Sequence, residues 1–332
     1  MHTLEAMPSL ADTALLLKAA FVVPAVKVSL ALAVLAIGLR SSEGDGLWLF
    51  RHPGLLARSI LSINVIVPIV ALAVAQAFDL NPAVKVALVA FSISPVPPVL
   101  PNQTGKAGGE SAYAIGLLTF VSLVAIVLVP LSVTLLAALF GATVHLAGRP
   151  VAGLMVETVL APLGVGLLIR RFFPSFAAHA AKPVNVVGMV VLAVGFLLIL
   201  FGAWPTIRSL IGNRTLLAIV IVTALGLFVG HELGGPIDAN RPVLALASVL
   251  RHPAVAIAVA NTAFPNSRLV APAVLLQFIV AALAASPYIR RQKRLTAQPS
   301  RIALQERRGA PSDAMASSSG RPPQPIRSGR SR

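Results

Sequence analysis

Hydrophobic residues occur in long unbroken runs along this chain, and short polar stretches separate the runs. The runs do not alternate apolar and polar positions as the strands of a membrane barrel do. Several approach the roughly twenty residues that a helix needs to cross about 30 Å of hydrocarbon. The pattern predicts about nine membrane helices, near residues 21–40, 54–78, 83–100, 111–140, 156–169, 184–201, 216–229, 243–263 and 269–289.

The composition indicates the same fold class. Hydrophobic residues make up 57% of the 332 residues and charged residues only 11%, whereas soluble domains carry about 25% charged residues. Because a backbone in lipid must satisfy its own hydrogen bonds, helices and closed barrels are the two ways to span a bilayer. We therefore predict an all-α polytopic membrane protein. The chain has no cysteine, which excludes disulfides, thiolate metal sites and a cysteine nucleophile.

The net charge of +16 is concentrated near the C-terminus. Residues 290–332 hold eleven Lys or Arg and two acidic residues, so they carry more than half of the net charge. Their richness in Ser, Pro, Gly and Arg predicts a disordered tail over residues 291–332. A basic tail is retained in the cytoplasm, or binds anionic lipid or a partner. We predict an integral protein of the plasma membrane with a cytoplasmic tail, and no nucleic-acid partner.

Two of the predicted membrane helices are interrupted by proline. The third breaks at Ser94-Pro95-Val96-Pro97-Pro98, and the eighth breaks at Arg251-His252-Pro253. Proline cannot donate a backbone hydrogen bond and clashes with the preceding turn. Paired broken helices in two halves of a chain are the usual sequence sign of a transporter site, although a proline can also simply kink a helix. We expect the site around residues 94–104 and 248–254.

Arg251 is the most informative single residue. It lies near the middle of an apolar segment, where a charged group is costly unless it is compensated, and arginine cannot lose its proton. We predict that Arg251 binds an anionic group of the substrate or stands where a coupling cation would lie; the alternative is a structural pair with a carboxylate or with freed backbone carbonyls. His252 is a candidate substrate-binding residue and proton relay, unless it only binds freed backbone.

Further candidates are polar side chains inside or beside the apolar helices. For substrate binding the sequence offers Asn102, Gln103, Thr104 and Asn64. For ion binding it offers Thr119, Ser122 and Ser248. The alternatives are a solvated loop for residues 101–104 and helix-to-helix hydrogen bonding for the others, a group to which Asn261, Thr262 and Gln277 also belong.

Several segments together resemble the bile acid:sodium symporter family. They are Ile37-Gly38-Leu39, Phe50-Arg51-His52-Pro53 followed by Pro68, Phe78-Asp79-Leu80-Asn81-Pro82, Gly109-Glu110-Ser111-Ala112 with the helix ending at Pro130, Val156 to Leu167, and Ala245 to Phe264. The resemblance covers nearly all of residues 25–290. It implies a core domain and a panel domain built from two inverted repeats, with crossed, unwound helices at the site. The corresponding parts are an N-terminal segment (1–20), repeats over 21–145 and 146–290, and the tail (291–332).

The chain departs from this family at the positions where sodium-coupled members bind sodium. The resemblance implies that the glutamate of the family's ninth helix falls at Ala247, its glutamine at Arg251, and the glutamine of the third helix at Ile63. Leu100 and Pro101 stand where a Ser-Asn pair is expected. Sodium prefers oxygen ligands, so losing a carboxylate and gaining a guanidinium disfavours it. Coupling to sodium or to protons, or no coupling, all stay open, and no cofactor is expected.

The predicted function is secondary transport of a small, anionic organic solute by alternating access. The alternative is a membrane scaffold or regulatory protein that acts through its basic tail. An intramembrane enzyme is not expected, because acidic residues at membrane depth are almost absent and His231-Glu232-Leu233-Gly234-Gly235 lacks the second histidine of a zinc-protease helix. The expected partners are a small-molecule solute and membrane lipid.

Overall fold

The computed structural model describes residues 10–41, 44–140, 153, 155–212, 214–263 and 267–309. All regular elements in these ranges are helices, which confirms the predicted all-α class. The helices are α1 (Leu10–Arg40), α2 (Pro53–Ala77), α3 (Pro82–Ile93), α4 (Leu100–Lys106), α5 (Ser111–Phe140), α6 (Ala161–Phe172), α7 (Pro174–Ser209), α8 (Thr215–Leu233), α9 (Asn240–Val249), α10 (Pro253–Ala263) and α11 (Val270–Gly309). A 3₁₀ helix, Asp45–Arg51, precedes α2, and a π-helical turn, Val156–Leu160, leads into α6.

Six spans in the described ranges are long and apolar enough to cross a membrane, and counting a bent pair as one span makes seven. The predicted count of nine is therefore not confirmed. The third predicted segment is divided into the short helices α3 and α4, and α6 has only 12 residues. Side chains of α7 such as Val190, Leu198 and Phe201 are more than half exposed, as expected for a helix that faces lipid.

The helices pack as two groups. In the three-helix group, α1 lies along α7 and α6. In the crossed group, which contains α2–α5 and α8–α11, α3 packs on α10 and α11, α9 packs on α8 and α4, and α2 packs on α8. The broken helices therefore lie within one group, and the three-helix group forms a separate wall beside it.

Three helices extend beyond the apolar segments that predicted them. Helix α1 begins at Leu10 and α7 runs from Pro174 to Ser209. Helix α11 continues to Gly309, past the predicted start of the tail at residue 291, and residues 310–332 lie outside the described part. Hydropathy marks the part of a helix that contacts hydrocarbon, and helices can continue into the polar region beyond it. The division into two repeats and a tail stays a prediction.

The start of α3 is fixed by a side-chain cap. The Asn81 side chain accepts a hydrogen bond from the Ala83 backbone N–H at 2.9 Å, and Pro82 occupies the first helical position. We expect Asn81→Ala to lower the free energy of unfolding by about 1 kcal/mol, because one helix-end donor loses its acceptor. Thermal unfolding in detergent measures this. Asn81→Asp keeps the acceptor and should stay near the parent protein; an equal loss in both variants would contradict the capping role.

Candidate functional site

The two interrupted helices meet at their breaks. Helix α3 ends at Ile93 and α9 ends at Val249, and after each break the chain becomes helical again within a few residues. The His252 backbone N–H donates to the Pro95 carbonyl oxygen at 2.8 Å, so the two breaks are hydrogen-bonded to each other. Both predicted interruptions are confirmed. We call this contact the helix crossing.

Proline leaves the Ser94 carbonyl without a donor from its own chain. In a continuing α-helix this oxygen would accept from the N–H of residue 98, and in a 3₁₀ turn from that of residue 97. Both residues are proline and have no N–H. A buried carbonyl in this position needs a donor from elsewhere, and Ser94 is completely buried.

A π-helical turn frees a second carbonyl, on α2. Residues Leu61–Ile66 form this turn, and the Val67 N–H donates to Ser62 instead of to Ile63. The next residue is Pro68, which has no N–H to replace the lost donor. Single π turns of this kind often occur at functional sites. The Ile63 carbonyl, like that of Ser94, is therefore available to another part of the chain.

Arg251 supplies the missing donors. Its Nη1 donates to the Ser94 carbonyl at 3.1 Å, and its Nη2 donates to the carbonyls of Ile63 at 2.8 Å and Ser248 at 3.2 Å. Ser248 would normally accept from the His252 N–H, which has turned to Pro95. We call these three oxygens, of Ile63, Ser94 and Ser248, the carbonyl cluster. Of the alternatives for Arg251, this structure contains the contact with freed backbone carbonyls.

The helix crossing is closely packed. Arg251 and His252 are each 1% exposed, and the cavity beside Arg251 has a volume of only about 10 Å³, which is enough for about one water molecule. Gln277, Ser92 and Thr223 line it. Among the described residues, Arg251 therefore lies beside a space for about one water molecule in this conformation. Both ring nitrogens of His252 and the Gln277 side-chain oxygen lack hydrogen-bond partners among the described residues.

Comparison with known families agrees with this architecture. Residues 27–210, more than half of the chain, match the model of the sodium bile acid symporter family. The chain belongs to this family. The resemblance noted in the sequence is thereby confirmed, and it places the protein among membrane transport proteins and not among enzymes. No curated protein matches the chain.

In this symporter-family member, Asn102 lies in a second polar cluster, at the contact between the two helix groups. Arg40, at the end of α1, donates through Nη2 to the side-chain oxygens of Asn102 at 3.4 Å and Asn185 at 3.2 Å. Asn102 also donates to Asn185 at 3.3 Å. Arg40 and Asn185 belong to the three-helix group and Asn102 to the crossed group. We call these three side chains the interface cluster.

Sequence reasoning missed two members of the interface cluster. Arg40 is an exposed arginine at the end of an apolar helix, a position that hydropathy does not distinguish from any other charge in a loop. Asn185 is a polar residue near the start of the apolar part of α7, which is a usable signal. Their contact with Asn102 joins residues 62 and 83 positions away from it, and hydrophobic patterning carries no information about such pairs.

The other predicted site residues divide between the helix crossing and the interiors of helices. Ser248 lies at the crossing and shares a 2.7 Å hydrogen bond with Ser62. Asn64 is half-buried in the π-helical turn. Thr104 and Thr119 donate to carbonyls of their own helices, those of Pro101 and Ile115, at 3.2 and 2.9 Å.

Among the remaining candidates, none of the described side chains is hydrogen-bonded to Arg251. Gln103 is half-buried on α4, and Ser122 is buried on α5 with its hydroxyl unpaired among the described residues. Asn261 is exposed near the end of α10, and the side chain of Thr262 lies outside the described part. In the described ranges no three His, Asp or Glu side chains are grouped so that they could hold a metal ion.

A larger cleft of about 890 Å³ opens at the end of the crossed group. Its polar walls include the His231–Tyr288 pair, hydrogen-bonded at 2.8 Å, and Arg241, which lies 3.6 Å from Asp238. A cleft of this volume is the usual place to expect a small ligand. However, its described lining comes from α8, α9, α11, the loop between α8 and α9, and Gly108 after α4. All of these belong to the crossed group, so a movement of the three-helix group would not close the cleft. The interface cluster is the better candidate for solute binding.

Proposed function

We propose that this protein is a secondary transporter that moves a small organic anion across the membrane by alternating access. The observation that carries the proposal is the helix crossing, where two broken helices are hydrogen-bonded through His252 and Pro95. Irregular backbone at membrane depth is tolerated where protein or a cavity surrounds it, and crossed broken helices are the usual location of a transporter site. Membership of a symporter family supports the same conclusion.

The order and pairing of the helices support two related halves, over residues 21–145 and 146–290. Helix α3, its break, α4 and α5 follow α2, just as α9, its break, α10 and α11 follow α8. The contacts are reciprocal as well: α3 packs on α10, α4 packs on α9, and α2 packs on α8. An inverted repeat produces this kind of pairing. The two helix groups would then be the parts that move against each other.

The interface cluster is the proposed anchor for the anionic solute. Arg40 is bound there by two neutral amide oxygens at 3.2 and 3.4 Å. A carboxylate would replace these with charge-assisted hydrogen bonds, which are roughly twice as strong and can be bidentate. Because the amides come from different helix groups, an arriving solute would break a link between the groups. Binding and the movement that alternating access requires would thus be coupled.

Basic residues are clustered near the C-terminal part of α11, and this supports a cytoplasmic position for that end of the helix bundle. Arg241 and Arg291 line the same cleft at this end, and Arg290 and Arg294 lie beside Arg291 on α11. Lys and Arg are concentrated in cytoplasmic segments of membrane proteins. We propose a plasma-membrane protein with a cytoplasmic C-terminus. The family match does not favour the alternative of a non-transporting scaffold.

Replacing Arg40 tests the anchor. We expect Arg40→Gln to weaken the binding of cholate, a bile acid carboxylate, by about tenfold to a hundredfold, because a hydrogen bond to a charged group is lost. Binding is measured by thermal shift and by uptake into vesicles that contain the purified protein. Arg170→Gln replaces a half-buried arginine of α6 that donates to the Pro174 carbonyl; it is the control and should behave like the parent protein.

An uncharged ligand separates anchoring from misfolding. Methyl cholate has no carboxylate and forms no ion pair with Arg40, so Arg40→Gln should change its binding far less than that of cholate. Equal losses for cholate and methyl cholate would assign Arg40 a purely structural role. If neither cholate nor a wider panel of organic anions is bound or taken up by the parent protein, the proposed transport function is wrong.

A further inference from the structure

The carbonyl cluster has the chemistry of a cation site. Its three oxygens, from Ile63, Ser94 and Ser248, come from three separate helices and converge within hydrogen-bond distance of one guanidinium. Convergent carbonyl oxygens, released where a membrane helix unwinds, are typical ligands for sodium and other hard cations. In this chain the prolines and the π-helical turn make these oxygens available, so the backbone at this point needs either hydrogen-bond donors or a cation.

Arg251 already provides that positive group. The guanidinium is almost completely buried and touches all three oxygens. None of the described carboxylates lies close enough to neutralise it. A sodium ion placed about 4 Å from this charge would bind on the order of a thousandfold more weakly, even with an effective dielectric constant of about 20. The 10 Å³ cavity beside Arg251 offers no second position away from that charge.

We infer that Arg251 is a built-in cation, and that its guanidinium takes the place of a coupling sodium at the helix crossing. The crossed helices are then held together without any ion from solution. Given the proposed transport function, solute movement should not require a sodium gradient. A merely structural arginine, without a cation site beneath it, is the competing explanation, and the two differ in how sodium acts once the guanidinium is removed.

The parent protein gives the first test, and it needs no solute. Purified protein is unfolded thermally in sodium chloride, potassium chloride and choline chloride of equal concentration. We expect the same midpoint within about 1 °C in all three salts. A sodium-specific rise of several degrees would overturn the inference. Cholate uptake should likewise be equal with sodium or choline outside the vesicles. Absence of uptake in both salts would count against the proposed function and leave the unfolding result intact.

Arg251→Gln gives the second test. This variant removes the charge and leaves the carbonyl cluster open to an ion. We expect sodium, but not choline, to raise its unfolding midpoint by about 3 °C or more once sodium exceeds its dissociation constant tenfold. Arg251→Lys keeps a cation and should show no sodium effect. Exposed Arg268 supplies the control, Arg268→Gln, which should behave like the parent protein. If Arg251→Gln folds and sodium does not stabilise it at 0.5 M, the carbonyl cluster is not a cation site and the inference fails. If the variant is unfolded in choline chloride, it should fold in 0.5 M sodium chloride, and failure to fold in both salts overturns the inference.

Discussion

Arg251→Met is expected to lower the free energy of unfolding by about 3–5 kcal/mol, although the change makes the membrane interior more apolar. The reason lies in the three carbonyls that Arg251 binds. Each would be left buried without a donor, and an unsatisfied buried polar group costs about 1–3 kcal/mol. Methionine is unbranched and flexible enough to fill the space of the arginine stem, so most of the expected loss comes from the hydrogen bonds.

Unfolding by heat or by detergent titration measures this effect, which corresponds to a fall of about 10 °C in the midpoint. The control is Arg268→Met, since Arg268 is exposed in the turn before α11. An average hydrophobic substitution on a membrane helix would be neutral or stabilising. A stability of Arg251→Met equal to that of the control would therefore mean that the carbonyls find other donors, and that Arg251 does not hold the helix crossing together.

Much of the helix crossing could be predicted from the sequence. The prolines at 95, 97, 98 and 253 predict both breaks, and the cost of a buried charge predicts that Arg251 must be compensated. Even the free carbonyl of Ser94 can be deduced by counting the missing N–H groups at residues 97 and 98. The sequence could not show which group compensates the charge of Arg251. Backbone carbonyls have no sequence signature, and the position of a π-helical turn depends on packing.

The interface cluster could not be predicted in the same way. Asn102 was a candidate because it follows a proline-rich break, but its partners lie on helices whose orientation hydropathy does not determine. Apolar helices in lipid lack a distinct polar face that would show which side is buried. The side that packs against another helix is set instead by polar pairs such as Asn102 with Asn185. The start of α7 could not be predicted from hydropathy either. The helix begins at Pro174 and contains Pro183, whereas the apolar segment begins only near residue 184.

The second large effect is expected at Gly166, where α6 crosses α1 with the backbones in contact. A Cβ atom on Gly166 would lie 2.6 Å from the Leu35 carbonyl oxygen and 2.8 Å from the Gly38 Cα. Neither atom can move without separating the helices. Gly166→Leu should therefore cost about 3 kcal/mol or more, at or beyond the upper end of the usual cost of overpacking. Small residues at such contacts are what allow membrane helices to approach closely.

Gly164, on the same helix, provides the matched control. A Cβ added there meets no atom of the described residues within 4 Å. Gly164→Leu should therefore keep or slightly raise the unfolding midpoint, because leucine favours a helix by up to about 1 kcal/mol over glycine. Equal effects of the two substitutions would contradict the close contact.

The same pair of variants connects packing with solute binding. Gly38 lies two residues before Arg40, so a leucine at Gly166 that displaces α1 should also displace the Arg40 guanidinium from Asn102. Any Gly166→Leu protein that still folds should bind cholate more weakly, as Arg40→Gln does, and should bind methyl cholate as before. Retention of full cholate affinity in folded Gly166→Leu would show that the solute does not depend on where α1 places Arg40. The anchor would then have to lie elsewhere on the contact between the two helix groups.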